Sequence, residues 1–190
     1  IENKLKIKSI YFFLVNTSFY NLHYHEHYSN VCKILDLGHE IGLHFDASRY
    51  KSNELEKNCE REVKVLESLF GFKNKIISFH RPVKKLLFSN KKFAGYNHTY
   101  MKKYTKNIDY CSDSQGTWLY STPEDIITRN ANKKVFRIQL LTHPIWWNIK
   151  NYKTPQKKVS SFLKYQYENL KLAAEINCKP YRKFRSEKNK

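Results

Sequence analysis

Short continuous apolar runs recur along the chain and read as buried strands: Ile7 to Val15, Ile41 to Phe45, Ile76 to Phe79, Ile108 to Cys111 and Val135 to Leu141. Between them the spacing changes to that of helices. From Glu54 to Phe70, residues Leu55, Cys59, Val63, Leu66 and Phe70 fall on one face, Asn53 and Glu56 are spaced as a capping box, and Gly71 stands where a left-handed C-cap is needed. Val31, Ile34, Leu35 and Leu37 predict a short helix that stops at Gly38. A last helix, Val159 to Ile176, is expected to turn Phe162, Leu163, Gln166, Leu170 and Ala173 inward. Strand and helix alternate with links long enough for crossovers, which predicts an α/β fold with a parallel sheet or barrel. Five strands are too few to close the eight-stranded form, so the barrel is expected to be incomplete.

Length and composition allow one substantial core. The chain has 190 residues, 41% of them hydrophobic and 15% aromatic, and reads as one domain over residues 1–178 followed by a basic tail at 179–190. No apolar run is long enough to predict a membrane span. The net charge of +18 raises the question of a polyanionic partner, but lysines are scattered along the whole chain, which suits a solvated surface and predicts no nucleic-acid partner. Only Lys179 to Arg185 is locally dense, and a terminal basic run of this kind is expected to be a disordered end. Cys32, Cys59, Cys111 and Cys178 form no Cys-x-x-Cys pair, so reduced thiols and a cytoplasmic location are expected, with Cys111 as a packing residue. A chain that opens at Ile1 reads as truncated or processed.

The chemistry concentrates where the strands end. Gly38 to Asp46 closes an apolar run on His44 and Asp46, whose two-residue spacing aims both side chains the same way. Ser78-Phe79 runs into His80-Arg81-Pro82, Tyr110-Cys111 into Ser112-Asp113-Ser114, and Leu140-Leu141-Thr142 into His143. In parallel α/β folds this is the end that carries active sites. Pro82 fixes the backbone beside Arg81. Asp113 either orients His143 or serves the turn in Ser-Asp-Ser. His23, His25 and His27 alternate at a loop or helix start and read as an exposed, unrelated cluster.

Taken in order, these four motifs resemble those of the polysaccharide deacetylase family over roughly Lys4 to Trp147. The resemblance implies an incomplete, distorted β/α barrel that holds a divalent metal, expected to be zinc, and hydrolyses N- or O-linked acetyl groups on a carbohydrate. In that family an Asp pair on the first strand supplies the base and one ligand, two histidines complete the ligands, an Arg orients the base, and a later Asp tunes the histidine that acts as general acid. Carried over by position, His44 matches the first metal histidine, Arg81 the orienting arginine, Asp113 the tuning carboxylate and His143 the acid. Ser48 stands where the second metal histidine is expected, and Asp46 is the candidate to replace it, since carboxylate oxygen suits zinc. His39 corresponds to a scaffold position. His80, Trp118, Trp146 and Trp147 are candidates to contact the sugar, with one of the two adjacent tryptophans expected only to pack.

The Ile7 to Val15 run resembles the family's second strand, which would put the first strand and its Asp pair before Ile1 and leave this chain inactive or weakly metal-bound. The rival expectation is a non-catalytic member of the same fold that binds glycans or another protein through its aromatic rim, a reading that Ser48 favours.

Overall fold

The computed structural model describes residues 2–71, 76–82, 86–147 and 154–188, the side chains of 183 and 185–188 excepted. Ile1 and the last two residues of the basic tail lie outside the described residues. The chain divides into two compact units, Ile1–Asn107 and Ile108–Lys190.

In the first unit four strands, β1 (Ile10–Phe13), β2 (Glu40–Phe45), β3 (Ile76–Phe79) and β4 (Asn97–His98), form one parallel sheet in the order of the chain. The first apolar run thus yields a strand of four residues, and β4 is too short and too polar to be read from a hydrophobic pattern. Helix α1 (His25–Asp36) joins β1 to β2 and ends before Gly38, which takes a left-handed φ of 76°. Helix α2 (Leu55–Phe70) joins β2 to β3; Leu55, Cys59, Val63 and Leu66 are buried as its spacing predicts, and Gly71 adopts the expected left-handed C-cap. Its start differs from expectation. Glu54 is the N-cap and makes no side-chain cap bond, so the Asn53–Glu56 box does not form. The core comes from Leu43, Phe45, Ile77 and Phe79 on the sheet and Cys59, Val63 and Leu66 on α2, each no more than 1% exposed. Burial pushes the Cys59 thiol up to about 12, as suits a packing residue.

Gly42 is required by its neighbours. A β-carbon there would lie 2.5 Å from the Phe12 ring and 3.0 Å from the Ile76 carbonyl.

The second unit holds a parallel pair, β5 (Asp109–Ser112) and β6 (Ile138–Leu141). After β5 come α4 (Pro123–Arg129), closed by a Thr122–Asp125 capping box, then β6, α5 (Pro155–Asn177) and α6 (Lys179–Lys188); a short helix α3 (Lys102–Thr105) precedes β5. Val135 and Phe136 are exposed and lie outside β6, so the last strand is shorter than its apolar run. Asn130 is buried and donates to both Asp109 Oδ2 (2.9 Å) and the Ile126 carbonyl (2.8 Å), tying the end of α4 to the start of β5. Two expectations are corrected. Helix α5 buries no residue, and Leu163 and Leu170 of its expected inner face are 55% and 70% exposed. The basic segment from Lys179 is helical through Lys188, where a disordered end was expected.

The architecture is α/β with parallel sheets, and no closed barrel forms among the described residues. Truncating Phe79, whose ring meets those of Phe45, Phe93, His98 and Tyr100, is expected to cost about 3–5 kcal/mol of unfolding free energy, while Leu163→Ala changes it by less than about 0.5 kcal/mol. Urea denaturation of the two variants checks the contrast.

Candidate functional site

Register decides which side chains of the first unit meet. Leu43 pairs with Ile77, His44 with Ser78 and Phe45 with Phe79, and the ladder continues through the His80 amide, which donates to the Phe45 carbonyl at 2.9 Å. Because faces alternate along a strand, Leu43, Phe45, Ile77 and Phe79 share the core face while His44, Ser78 and His80 share the other. His80 is two residues beyond the level of His44, a diagonal neighbour within reach of an imidazole. Its Nδ1 lies 3.2 Å from His44 Nε2, the rings meeting edge to face at 81°. His44 is half-buried and His80 exposed.

Asp46, the first residue after β2, is 4% exposed. Its Oδ1 accepts from the Ser48 hydroxyl (2.7 Å) and amide (3.2 Å); its Oδ2 faces Arg49 Nε at 3.4 Å and Arg81 Nη2 at 3.6 Å. Burial pushes this carboxyl up, but the two Ser48 hydrogen bonds, Arg81 and His80 outweigh it and leave Asp46 below the usual carboxylate range. A 3₁₀ turn at Ala47–Arg49 makes this local clamp, with Asp46 as its N-cap. Ser48, the position at which a second metal histidine was expected, therefore holds the carboxylate, and the imidazole beside His44 is that of His80, just past the end of β3. Among the described residues no group of three or more His, Cys, Asp or Glu is arranged to hold a metal ion.

Nearby, and unread in the sequence, Glu62 of α2 is 4% exposed and accepts a hydrogen bond from the Tyr50 hydroxyl. Burial raises its carboxyl, and the Tyr50 bond opposes that rise without cancelling it. The only trace in the sequence is a Glu one position from Val63 on the apolar face of α2. His39 is buried and accepts from the Ser9 amide at Nδ1 (3.3 Å), a structural setting. His23 and His25 are exposed and His27 half-buried, its Nδ1 3.0 Å from the Asn21 carbonyl.

In the second unit Ser112 pairs with Leu141, so Asp113 and His143 leave adjacent strand ends. One carboxylate serves His143 twice: Oδ2 accepts its amide at 3.0 Å and Oδ1 faces its Nδ1 at 2.6 Å. The amide bond fixes the backbone of His143, the ring bond its orientation, and Nε2 is left to exchange a proton. Asp113 also closes the turn whose Gly116 amide donates to its carbonyl at 2.8 Å, so the orienting and turn-forming roles coexist. The loop returns as the Leu119 amide donates to the Ser112 carbonyl (2.7 Å), leaving Trp118 39% exposed. Trp146 is half-buried, its ring edge against the Gly116 turn and its carbonyl accepting from Lys158, whereas Trp147 is 56% exposed. One of the adjacent pair packs and the other is open to solvent.

Comparison with known proteins finds no family model, no curated protein and no solved structure that matches the chain.

Opposite pH dependences are expected for the buried carboxylates of Asp46 and Glu62. The folded value of Asp46 is lowered, so its contribution is complete above the unfolded-state value near pH ~4 and is lost as pH falls through the folded value; the stability gap between wild type and Asp46→Asn narrows in that direction. The folded value of Glu62 is raised, so wild type loses stability relative to Glu62→Gln as pH rises from about 4 through the folded value. Denaturant midpoints measured in steps from about pH 3 to about pH 7 separate the two slopes.

Proposed function

We propose that the protein is a metal-dependent hydrolase of the polysaccharide deacetylase type, built on an incomplete β/α barrel and removing acetyl groups from a carbohydrate. The observation that supports it most is the two-point hold of Asp113 on His143. An imidazole whose Nδ1 is engaged by a carboxylate is oriented and supported as a proton donor at Nε2.

In this reading water adds to the acetyl carbon, the bond from that carbon to the sugar nitrogen or oxygen breaks, and His143 Nε2 delivers its proton to the departing atom as acetate leaves. The proton of the attacking water passes to a carboxylate, a part that the family gives to its first-strand Asp pair. A divalent cation, when bound, supplies a polarised carbonyl and a more acidic water. His44 suits such an ion as an imidazole donor at a strand mouth. Asp46 suits it less, because Ser48, Arg49 and Arg81 already occupy its oxygens. Arg81 holds Asp46 as an anion, and Trp118 and Trp147 offer flat apolar faces to a sugar ring.

A non-catalytic reading has one observation in its favour. Ser48 replaces a metal histidine and binds Asp46 instead. Such a protein would bind glycans through its tryptophans with no response to chelator.

Acetate release from an N-acetylated oligosaccharide, by protein expressed from its complete reading frame, distinguishes the two. Activity is expected to disappear with chelator, and His143→Gln to lower turnover by about 10²–10⁴ with little change in thermal stability. Sugar binding without acetate release, unaffected by chelator, would select the binding protein; turnover unchanged in His143→Gln would remove the acid role.

A further inference from the structure

Two imidazoles on neighbouring strands form the other arrangement with chemistry of its own. His44 Nε2 and His80 Nδ1 are 3.2 Å apart on one face of the sheet, at the carboxyl ends of β2 and β3. In this structure the contact is a hydrogen bond between the two rings; nitrogens bound at 2.0–2.1 Å to one tetrahedral zinc ion lie roughly 3.3–3.4 Å from each other, so an ion could replace the shared proton with little movement of either ring. The strands fix it. Parallel pairing puts Ser78 level with His44, the core face anchors Phe45 and Phe79 at 0% and 1% exposure, and the His80 amide is bonded to the Phe45 carbonyl. His80 is exposed, which leaves room for water or a substrate oxygen to complete the coordination. Asp46, just past the end of β2, is a buried anion already engaged by Ser48, Arg49 and Arg81, so the two imidazoles are the groups left to bind an ion here.

The geometry points to His44 and His80 as a two-imidazole site for zinc or a similar borderline divalent cation, with β3 supplying the second histidine in place of the helical-turn position that Ser48 occupies. Imidazole nitrogen selects zinc, copper and nickel over magnesium and calcium. Asp46, whose oxygens are taken by Ser48, Arg49 and Arg81, is not a ligand. The inference deepens the metal dependence proposed above, but it concerns cation binding, which is measured without turnover. Its failure therefore leaves the Asp113–His143 acid open, and a failed acetate assay leaves the cation site open.

Calorimetric titration of the protein with ZnCl₂ alone is expected to show one ion per chain. Removing either ligand, in His44→Ala or His80→Gln, should weaken binding at least about tenfold, since losses of that size follow even from outer-sphere changes. His23→Ala together with His25→Ala should leave it unchanged. A second measurement needs no variant: zinc should protect His44 and His80, but not His23 or His25, from carbethoxylation by diethyl pyrocarbonate, as mapped by mass spectrometry. Magnesium in place of zinc should protect neither. No zinc binding, binding that survives both single substitutions, or protection confined to His23, His25 and His27 would each overturn the assignment.

Discussion

Side-chain alternation along a paired parallel strand governs the first unit. Leu43 and Phe45 on β2, with Ile77 and Phe79 on β3, are drawn into the core against α2, and their burial fixes both strands in register. The intervening residues have no choice of side. His44, Ser78 and His80 must project from the opposite face, and the imidazoles meet because the apolar residues between them are fixed. A slip of one residue would bury the histidines and expose four of the most buried side chains of the molecule.

Electrostatics then divide the labour at the mouth of β2. Asp46 is almost fully buried, a costly position for a carboxylate, and four groups offset that cost: the hydroxyl and amide of Ser48 and the guanidinium groups of Arg49 and Arg81. A carboxylate so engaged is a fixed negative charge. The exposed imidazole of His80, beside that of His44, is the better placed donor for a cation. Glu62 shows the contrasting outcome: with fewer compensating donors, burial dominates and its carboxyl rises.

The second unit repeats the principle with different parts. The short parallel pair β5–β6 ends in Asp113 and His143, and the register of Ser112 with Leu141 brings carboxylate and imidazole to bonding distance. Both Asp113 oxygens act on one residue, backbone and ring together, so the imidazole is held more firmly than a single contact would hold it. Trp146 lies against the Gly116 turn, while Trp147 is exposed.

Much of this was legible in the chain itself. Continuous apolar runs marked β2 and β3, three-and-four spacing marked α2, and Gly71 marked its end, because burial and backbone sterics act locally on those residues. The same runs overstated β1 and β6, where flanking apolar residues such as Val135 remain in solvent. Spacing within one segment also singled out His44, Asp46, Asp113 and His143. Which partners they met depended on pairing between segments far apart in sequence: His80 beside His44 across 36 positions, and Asp113 beneath His143 across 30. Glu62 in the core and the capture of Asp46 by Ser48 likewise follow from packing and donor competition. A sequence fixes the period and chemistry of each strand, while register, set by the burial of the whole sheet, decides which chemical groups face one another.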